Sequence, residues 1–267
     1  MSPAFSACLA SIDGAITLAS EARIPANDEG LLRGDGVFEV IRVYDAKPFA
    51  LDDHLRRLKR SALNLRLPLD LEAVRADANR LLAHAGPGPE HELLRIVITR
   101  GGRRLLLTEP LPDTPERIRL QSITYSPTRV LDGVKSLSYA GNMLASRLAR
   151  EHGGDEALLV TPHGRVLEAP TSSIFWVKRG DIFTPPLSEH ILASITRALV
   201  IDLSDAREQP CTLDELFDAD EAFLTSTARE VQPVVTIDGR GFPADAPVTA
   251  RLTLDVSTRI QAELASG

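Results

Sequence analysis

Three prolines occur within seven residues in the segment PLPDTPE, at residues 110–116. Proline lacks a backbone N–H and fixes φ, so neither the interior of a helix nor a central strand accepts this density of prolines. The segment therefore predicts a linker that divides the chain of 267 residues into two parts, each long enough for its own core. We expect one domain over residues 1–109 and a second over residues 117–267.

Strand and helix patterns are mixed in the N-terminal part. The turn signal DG between the short apolar runs ACLASIDG and AITLA predicts a hairpin, and VFEVIRVY predicts a strand. Apolar residues at helical spacing predict a helix over residues 51–65, with Asp52 or Asp53 as its N-cap. LEAVRADANRLLAHAG predicts a second helix, and LLRIVITRGGRRLLLTE predicts another hairpin.

The C-terminal part has the same mixture. SLSYAGNMLASRLAREHGG predicts a helix with a serine N-cap, and SITRALVIDLSDA predicts a helix capped by Ser194. The predicted strands are EALLVT, RVLEA, SIFWV, DIFTP, EAFLTST and PVVTIDG. Because strands and helices do not alternate regularly, we expect two mixed α/β domains.

Charge and composition argue against several classes of protein. The net charge is −7 with both signs interspersed, and neither a basic stripe nor a polybasic tail indicates a nucleic-acid or membrane partner. Cys8 and Cys211 are too few for a disulfide framework, and neither they nor the six histidines have metal-ligand spacing, so we expect no metal. The N-terminus lacks the pattern of a signal peptide and no apolar run approaches about 18 residues, so we expect a cytoplasmic protein.

One lysine has unusual surroundings. The chain contains four lysines against twenty-six arginines, and Lys135 lies between the apolar residues Val134 and Leu137, before a predicted helix, where a positive charge gains nothing from the helix dipole. An amine in apolar surroundings loses the solvation that favours its charged form, which makes it a candidate nucleophile for Schiff-base chemistry. The alternative is a surface lysine whose amine reaches solvent.

A Schiff-base lysine suggests the cofactor pyridoxal 5′-phosphate, which also requires an anion site for its phosphate. The helix start SITRAL places the N–H groups of Ile195 and Thr196 in a first turn, and Ser226 and Thr227 add hydroxyls at the end of a strand. Arg57, on the predicted helix, is either a further phosphate ligand or a solvated charge. Hydroxyls at helix starts are also common as simple caps.

The pyridine nitrogen of this cofactor requires a carboxylate that keeps the nitrogen protonated. Glu168 follows Val166 by two residues in GRVLEAPTSSIF, so the strand period places both on one face. An inward carboxylate there needs a partner. The alternative is a glutamate on an edge strand that faces water.

Six segments, in order, resemble the fold-type IV pyridoxal-phosphate enzymes, also called class IV aminotransferases. They are GDGVFEVIRVYDAKPFALDDHLRRLKRSA, LLRIVITRG, VKSLSYAGNMLA, DEALLVTPHGRVLEAPTSSIFWV, IFTPPLSEHILASITR and ADEAFLTSTAREVQPV. The resemblance implies a small N-terminal α/β domain, a larger C-terminal pseudo-barrel domain and a homodimer. The chain departs from the residues common in this family at Ser138, Ser173 and Ser194, all of them small polar replacements.

The resemblance also implies a role for individual residues. Lys135 would be the Schiff-base lysine and proton shuttle, Glu168 would bind the pyridine nitrogen, and Arg57 would bind the phosphate. The other cofactor-binding residues would be Tyr139, Thr171, Ser172, Leu192, Ile195, Thr196, Ser226 and Thr227. Arg33, Arg95 and Ala228 are the candidate substrate-binding residues: Arg95 shares a strand face with Leu93 and Val97, and plain surface charge is the alternative for both arginines.

We therefore expect an aminotransferase that exchanges an amino group between an amino acid or R-amine and a 2-keto acid, with D-amino acids slightly favoured. Two members of the same family are alternatives: aminodeoxychorismate lyase, which eliminates pyruvate with the same lysine and cofactor, and a branched-chain L-amino-acid aminotransferase. A protein that binds the cofactor without turnover is the alternative from a different class.

Overall fold

The computed structural model describes residues 7–266, and these pack into two compact units. The first unit contains residues 7–113 and Gly133–Tyr139, and the second contains Thr114–Asp132 and residues 140–266. Within the described residues there are seven α-helices and two sheets, which confirms the predicted mixed α/β class. The segment that carries Lys135 packs with the first unit, whereas the predicted domain boundaries assign it to the second.

The first unit contains a six-stranded sheet in the order β2-β1-β6-β5-β3-β4. Its strands are β1 (Leu9–Ile12), β2 (Ala15–Leu18), β3 (Gly36–Tyr44), β4 (Lys47–Pro48), β5 (Leu93–Thr99) and β6 (Arg104–Glu109). All neighbouring strands are antiparallel. The pairs Asp13–Gly14 and Asp45–Ala46 close two-residue hairpins with positive φ at every position, the conformation that matches the twist of paired strands.

Helices cover one face of this sheet. They are α2 (Leu51–Asn64) and α3 (Leu71–Ala85), preceded in the chain by the short α1 (Glu29–Arg33). Alternate side chains of β3 and β5 enter the core beneath them, and Ile41 and Ile96 are fully buried there. The prediction of Asp52 or Asp53 as N-cap is wrong, because the cap is Ala50. Both aspartates lie in the first turn, where the positive end of the helix dipole stabilises their negative charge.

The second unit contains an eight-stranded sheet in the order β11-β10-β9-β12-β13-β7-β8, with β14 beside β13. Its strands are β7 (Ile118–Thr124), β8 (Glu156–Val160), β9 (Ser173–Lys178), β10 (Asp181–Thr184), β11 (Arg207–Glu208), β12 (Glu221–Ser226), β13 (Glu230–Ile237) and β14 (Arg240–Gly241). β13, β7 and β8 are parallel, as are β10 and β11. The strand predicted from RVLEA is wrong, because this segment makes only isolated bridges and turns back between Ala169 and Ser172.

The helices of the second unit are α4 (Ala140–Glu151), α5 (Ile195–Ser204), α6 (Leu213–Phe217) and α7 (Pro247–Ser266). The predicted cap of α5 is confirmed, since the Ser194 side chain accepts a hydrogen bond from the Arg197 N–H. The predicted serine cap of α4 is wrong: α4 begins at Ala140, directly after Tyr139, and the nearest serine, Ser138, donates its hydroxyl to the Gly34 carbonyl. Across residues 7–266, no helix combines the length and apolar character needed to cross a membrane.

Candidate active site

The segment around Lys135 pairs with the start of β3 in the first unit through backbone hydrogen bonds. The Phe38 N–H donates to the Lys135 carbonyl at 3.0 Å, and the Leu137 N–H donates to the Gly36 carbonyl at 2.9 Å. At Gly36 a Cβ would lie 2.5 Å from the Ile98 carbonyl oxygen, so only glycine allows the strands to approach this closely. Backbone hydrogen bonds on a rigid sheet therefore fix the position of Lys135.

The side chain of Lys135 is half-buried among aromatic rings. Its Nζ lies 4.4 Å from the centroid of the Phe38 ring and 6.0 Å from that of the Tyr139 ring, and the two rings meet edge to face at 5.3 Å. The Lys135 N–H donates to the Ser61 hydroxyl on α2 at 3.1 Å. The predicted residues Lys135 and Tyr139 are thus brought together, with the amine held over ring faces.

Arg57 lies in a buried charge network that the sequence did not predict. Its Nε and Nη2 donate to the two carboxylate oxygens of Glu39 at 2.7 and 2.6 Å, and His54 Nδ1 lies 2.8 Å from the same carboxylate. Burial opposes the charge of Glu39, but the Arg57 charge and the hydrogen bonds from Arg57 and His54 lower the pKa of Glu39 to about 2. Burial also lowers the pKa of His54. The predicted role of Arg57 at a phosphate stays a prediction.

This network predicts acid sensitivity. Since the pKa of Glu39 is about 2 in the folded state and 4.5 ordinarily, its stabilisation is present above pH 4.5 and is lost as the pH falls towards 2. Because the pKa of His54 is lowered in the folded state, His54 begins to cost stability as the pH falls below 6.5, the ordinary pKa of a histidine.

Glu39→Gln leaves Arg57 buried without its counter-charge, so we expect the free energy of unfolding in urea at pH 7 to fall by about 3–5 kcal/mol.

A matched control is available at Arg42, which lies on the same strand as Glu39. Glu92 pairs with Arg42 at 3.2 Å, but its side chain is 34% exposed, so Glu92→Gln should change the free energy of unfolding by less than about 1 kcal/mol. Equal losses in the two variants, or an equally steep loss of stability between pH 4.5 and pH 3 in wild type and Glu39→Gln, would contradict the assignment to the buried network.

The two arginines predicted to bind substrate have different surroundings. Both Nε and Nη2 of Arg95 donate to the carboxylate of Glu109, at 2.7 and 2.9 Å, and its guanidinium carbon lies 5.8 Å from the centroid of the Phe38 ring that Lys135 also contacts. Arg33, at the end of α1, is 73% exposed and pairs with Glu29 one turn earlier. The structure therefore places Arg95 on the same face of the sheet as the Lys135 amine, and it places Arg33 on the surface.

In the second unit, the structure brings together Glu168 and Leu192, two of the predicted cofactor-binding residues. Both carboxylate oxygens of Glu168 accept from the Leu192 N–H, at 3.3 and 3.2 Å. Burial raises the pKa of Tyr125, and the charge of Glu168 raises it further. Asn142 on α4 accepts from the Tyr125 hydroxyl at 3.3 Å and donates to the Pro170 carbonyl at 3.1 Å. Two residues that sequence reasoning missed, Tyr125 and Asn142, therefore hold the loop that carries Glu168.

The start of α5 has the character of an anion site. Ile195 and Thr196 occupy its first turn, where helical geometry provides no intrahelical acceptor for their N–H groups and the dipole is positive. α5 packs against β12, which ends at Ser226 and is followed by the half-buried Thr227 and Ala228. The predicted residues of this region thus lie at the start of α5, at the end of β12 and in the turn after it.

Several buried hydroxyls of the second unit lack partners. Among the described residues, the hydroxyls of Ser172, Ser173 and Thr225 find no hydrogen-bond partner, and Ser173 and Thr225 are directly opposite each other on β9 and β12. Thr171, the neighbour of Ser172, is exposed. A buried hydroxyl without a partner in a native protein requires an explanation, and a hydrogen bond to a ligand or to water is one.

Comparison with known proteins agrees with this geometry. Residues 36–237 match the family model Amino-transferase class IV. A putative branched-chain-amino-acid aminotransferase of Methanocaldococcus jannaschii is 36% identical, with 86% of this chain and 88% of that protein covered. The D-alanine aminotransferase of Bacillus licheniformis is 31% identical, with 95% of this chain and 96% of that protein covered.

A solved structure has the same fold. The fold IV-transaminase CpuTA1 from Curtobacterium pusillum superimposes with a TM-score of 0.83 at 30% sequence identity, covering 93% of this chain and 98% of that one. The similarity in sequence and in fold therefore extends over nearly the whole chain.

Proposed function

The chain belongs to the class IV aminotransferase family, and we propose that it moves an amino group from a D-amino acid or R-amine to a 2-keto acid. Enzymes of this family depend on pyridoxal 5′-phosphate. The observation that carries the proposal is the position of the Lys135 amine, fixed on the edge of β3 and 4.4 Å from the Phe38 ring centroid.

The residues of the chain fit the chemistry of this cofactor. Lys135 offers an amine for its aldehyde, Glu168 a carboxylate for its pyridine nitrogen, and the α5 start an anion site for its phosphate. The unpartnered hydroxyl of Ser172 offers a further hydrogen bond. When bound, the cofactor supplies an electron sink for the bond broken at the substrate Cα.

Each residue then has a distinct task. Lys135 would hold the cofactor through its Nζ, and the same Nζ would take the proton from the substrate Cα and deliver it to the cofactor, a transfer that typically contributes about 10²–10⁴-fold to the rate. Glu168, oriented by the Leu192 N–H, keeps the pyridine nitrogen protonated. Tyr139, whose ring centroid lies 6.0 Å from the Lys135 Nζ, would donate a hydrogen bond to the phenolic oxygen of the cofactor.

Arg95 bears on the choice of donor. Glu109 occupies two donors of its guanidinium, so an acidic side chain of a substrate must displace Glu109 before it binds there. This favours donors with uncharged side chains, such as the D-alanine named for two relatives that are 31% and 32% identical. Branched-chain L-amino acids are the second candidate, because the relative that is 36% identical carries that name.

The donor preference is tested by a half-reaction. We expect the cofactor-loaded enzyme, mixed with D-alanine and no keto acid, to lose its Schiff-base absorbance and to release one equivalent of pyruvate. L-leucine and R-1-phenylethylamine are compared under the same conditions. A faster reaction with L-leucine would favour the branched-chain candidate, and retention of the Schiff-base band with every donor would contradict transamination.

We also propose that the chain forms a homodimer, as the family resemblance implies. Leu31 and Leu32 of α1 are 60% and 59% exposed, and adjacent exposed leucines favour burial against a partner. The mass measured by sedimentation at several protein concentrations tests this.

A further inference from the structure

The hairpin loop after β12, which carries the proposed phosphate ligand Thr227, has an unusual conformation. Ser226 and Glu230 are the last pair of β12 and β13, so the loop contains Thr227, Ala228 and Arg229. Loops of this length usually end in a left-handed residue, a position that favours glycine. Here the left-handed residue is Glu230, directly after the loop, with φ of 55°, so interactions elsewhere must stabilise the loop.

Arg229 provides such interactions. Its Nη2 donates to Glu156 at 2.8 Å and its Nη1 donates to Gln232 at 2.7 Å, while its backbone N–H donates to the Ser226 hydroxyl at 3.3 Å. The Arg229 and Glu156 side chains are only 11% and 5% exposed. A buried, paired guanidinium fixes the backbone that carries it more firmly than an exposed one.

The partners of Arg229 are themselves held from several directions. The second carboxylate oxygen of Glu156 accepts from the Ser146 hydroxyl on α4 at 2.6 Å and from the Ala157 N–H at 3.2 Å. Gln232 donates to the carbonyl of Pro115, at the start of the second unit. The loop after β12 is therefore tied through one arginine to α4, β8 and the chain before β7.

Arg229 is unsuited to bind a phosphate itself, because both Nη atoms already donate within the unit and Glu156 neutralises its charge. We propose that Arg229 is a positioning residue, whose buried ion pair with Glu156 sets the hairpin loop so that Ser226 and Thr227 bind the phosphate of the cofactor. The inference rests on the proposed function, since it concerns the affinity for that phosphate.

The test compares cofactors with and without phosphate. Purified apo-enzyme is titrated with pyridoxal 5′-phosphate and with pyridoxal, following Schiff-base absorbance. Glu156→Gln retains the shape of the side chain but removes the charge that orients Arg229. We expect its affinity for pyridoxal phosphate to fall about tenfold, the effect of losing one charge-assisted hydrogen bond, while its affinity for pyridoxal is unchanged.

Neighbouring residues supply the controls. Asp155, next in the chain, makes a bidentate pair with Arg119 that is partly exposed, and Asp155→Asn should leave both affinities at the wild-type values. In Glu156→Gln the charge of Arg229 is left without its partner and could unfold the protein. The double variant Arg229→Met with Glu156→Met removes both buried charges and so avoids this effect. It should show the same selective loss of affinity for pyridoxal phosphate. Arg229→Lys keeps the positive charge, so it should bind pyridoxal phosphate more tightly than the double variant and less tightly than wild type.

The outcomes separate the inference from the proposed function. A wild-type protein that forms no Schiff base with either compound would overturn both. If wild type binds both compounds, an unchanged affinity for pyridoxal phosphate in the folded double variant would overturn the role of Arg229 alone. A parallel loss of both affinities would also overturn it, because that loss reflects general disruption of the second unit.

Discussion

Replacement of Lys135 by arginine is expected to abolish transamination and the visible absorbance of the bound cofactor while leaving the fold intact. Arginine keeps a cation next to the Phe38 ring, where the Lys135 Nζ now lies 4.4 Å from the centroid. A guanidinium stays protonated in proteins and does not condense with an aldehyde. Both the covalent attachment and the proton transfer are lost, so kcat should fall by more than about 10⁴-fold.

The attachment itself can be located. After reduction with borohydride, the wild-type protein should carry the cofactor on the peptide that contains Lys135, as seen by mass spectrometry. Lys59, exposed on α2, provides the matched control, and Lys59→Arg should retain wild-type turnover and absorbance. A Lys135→Arg variant that kept the absorbance band would move the linkage to another lysine and remove the proposed mechanism.

Local patterns predicted most of the elements, and the failures have local causes. The two-residue hairpin at Asp13 follows directly from its turn residues. RVLEA has the composition of a strand, but Pro170 follows it and the chain turns there. The helix α7 was missed, although its signal was present: it begins at Pro247, and proline is favoured in a first turn.

The site was predictable only in part. The scarcity of lysine beside many arginines drew attention to Lys135, and helix capping indicated the α5 start. The pairing of the Lys135 segment with β3 joins residues about 100 positions apart, and local patterns carry no information on such contacts. The carboxylate of Glu39 between apolar inward residues was a usable signal, since such a group requires a partner, but the sequence does not identify Arg57 as that partner.

Glu168→Gln should reduce kcat by about 10²–10³-fold, the usual cost of removing one preorganised charge from an active site, without detaching the cofactor from Lys135. Glutamine retains an oxygen that can accept from the Leu192 N–H, as both carboxylate oxygens do now, so the loop should keep its position. A neutral amide cannot favour protonation of the pyridine nitrogen, and electron withdrawal from the substrate Cα weakens. Stopped-flow kinetics of the D-alanine half-reaction measure this loss.

An independent readout shows whether the Glu168 carboxylate is ionised in the folded protein. Burial and then the charge of Glu168 raise the pKa of Tyr125, so the pKa of this phenol should decrease in Glu168→Gln, as followed by ultraviolet absorbance during alkaline titration. Glu189 pairs with Arg165, and Glu189→Gln is the control, with kcat near wild type. If the Tyr125 pKa decreases but kcat does not change, Glu168 is ionised but has no part in the reaction, and the proposed role at the pyridine nitrogen is wrong.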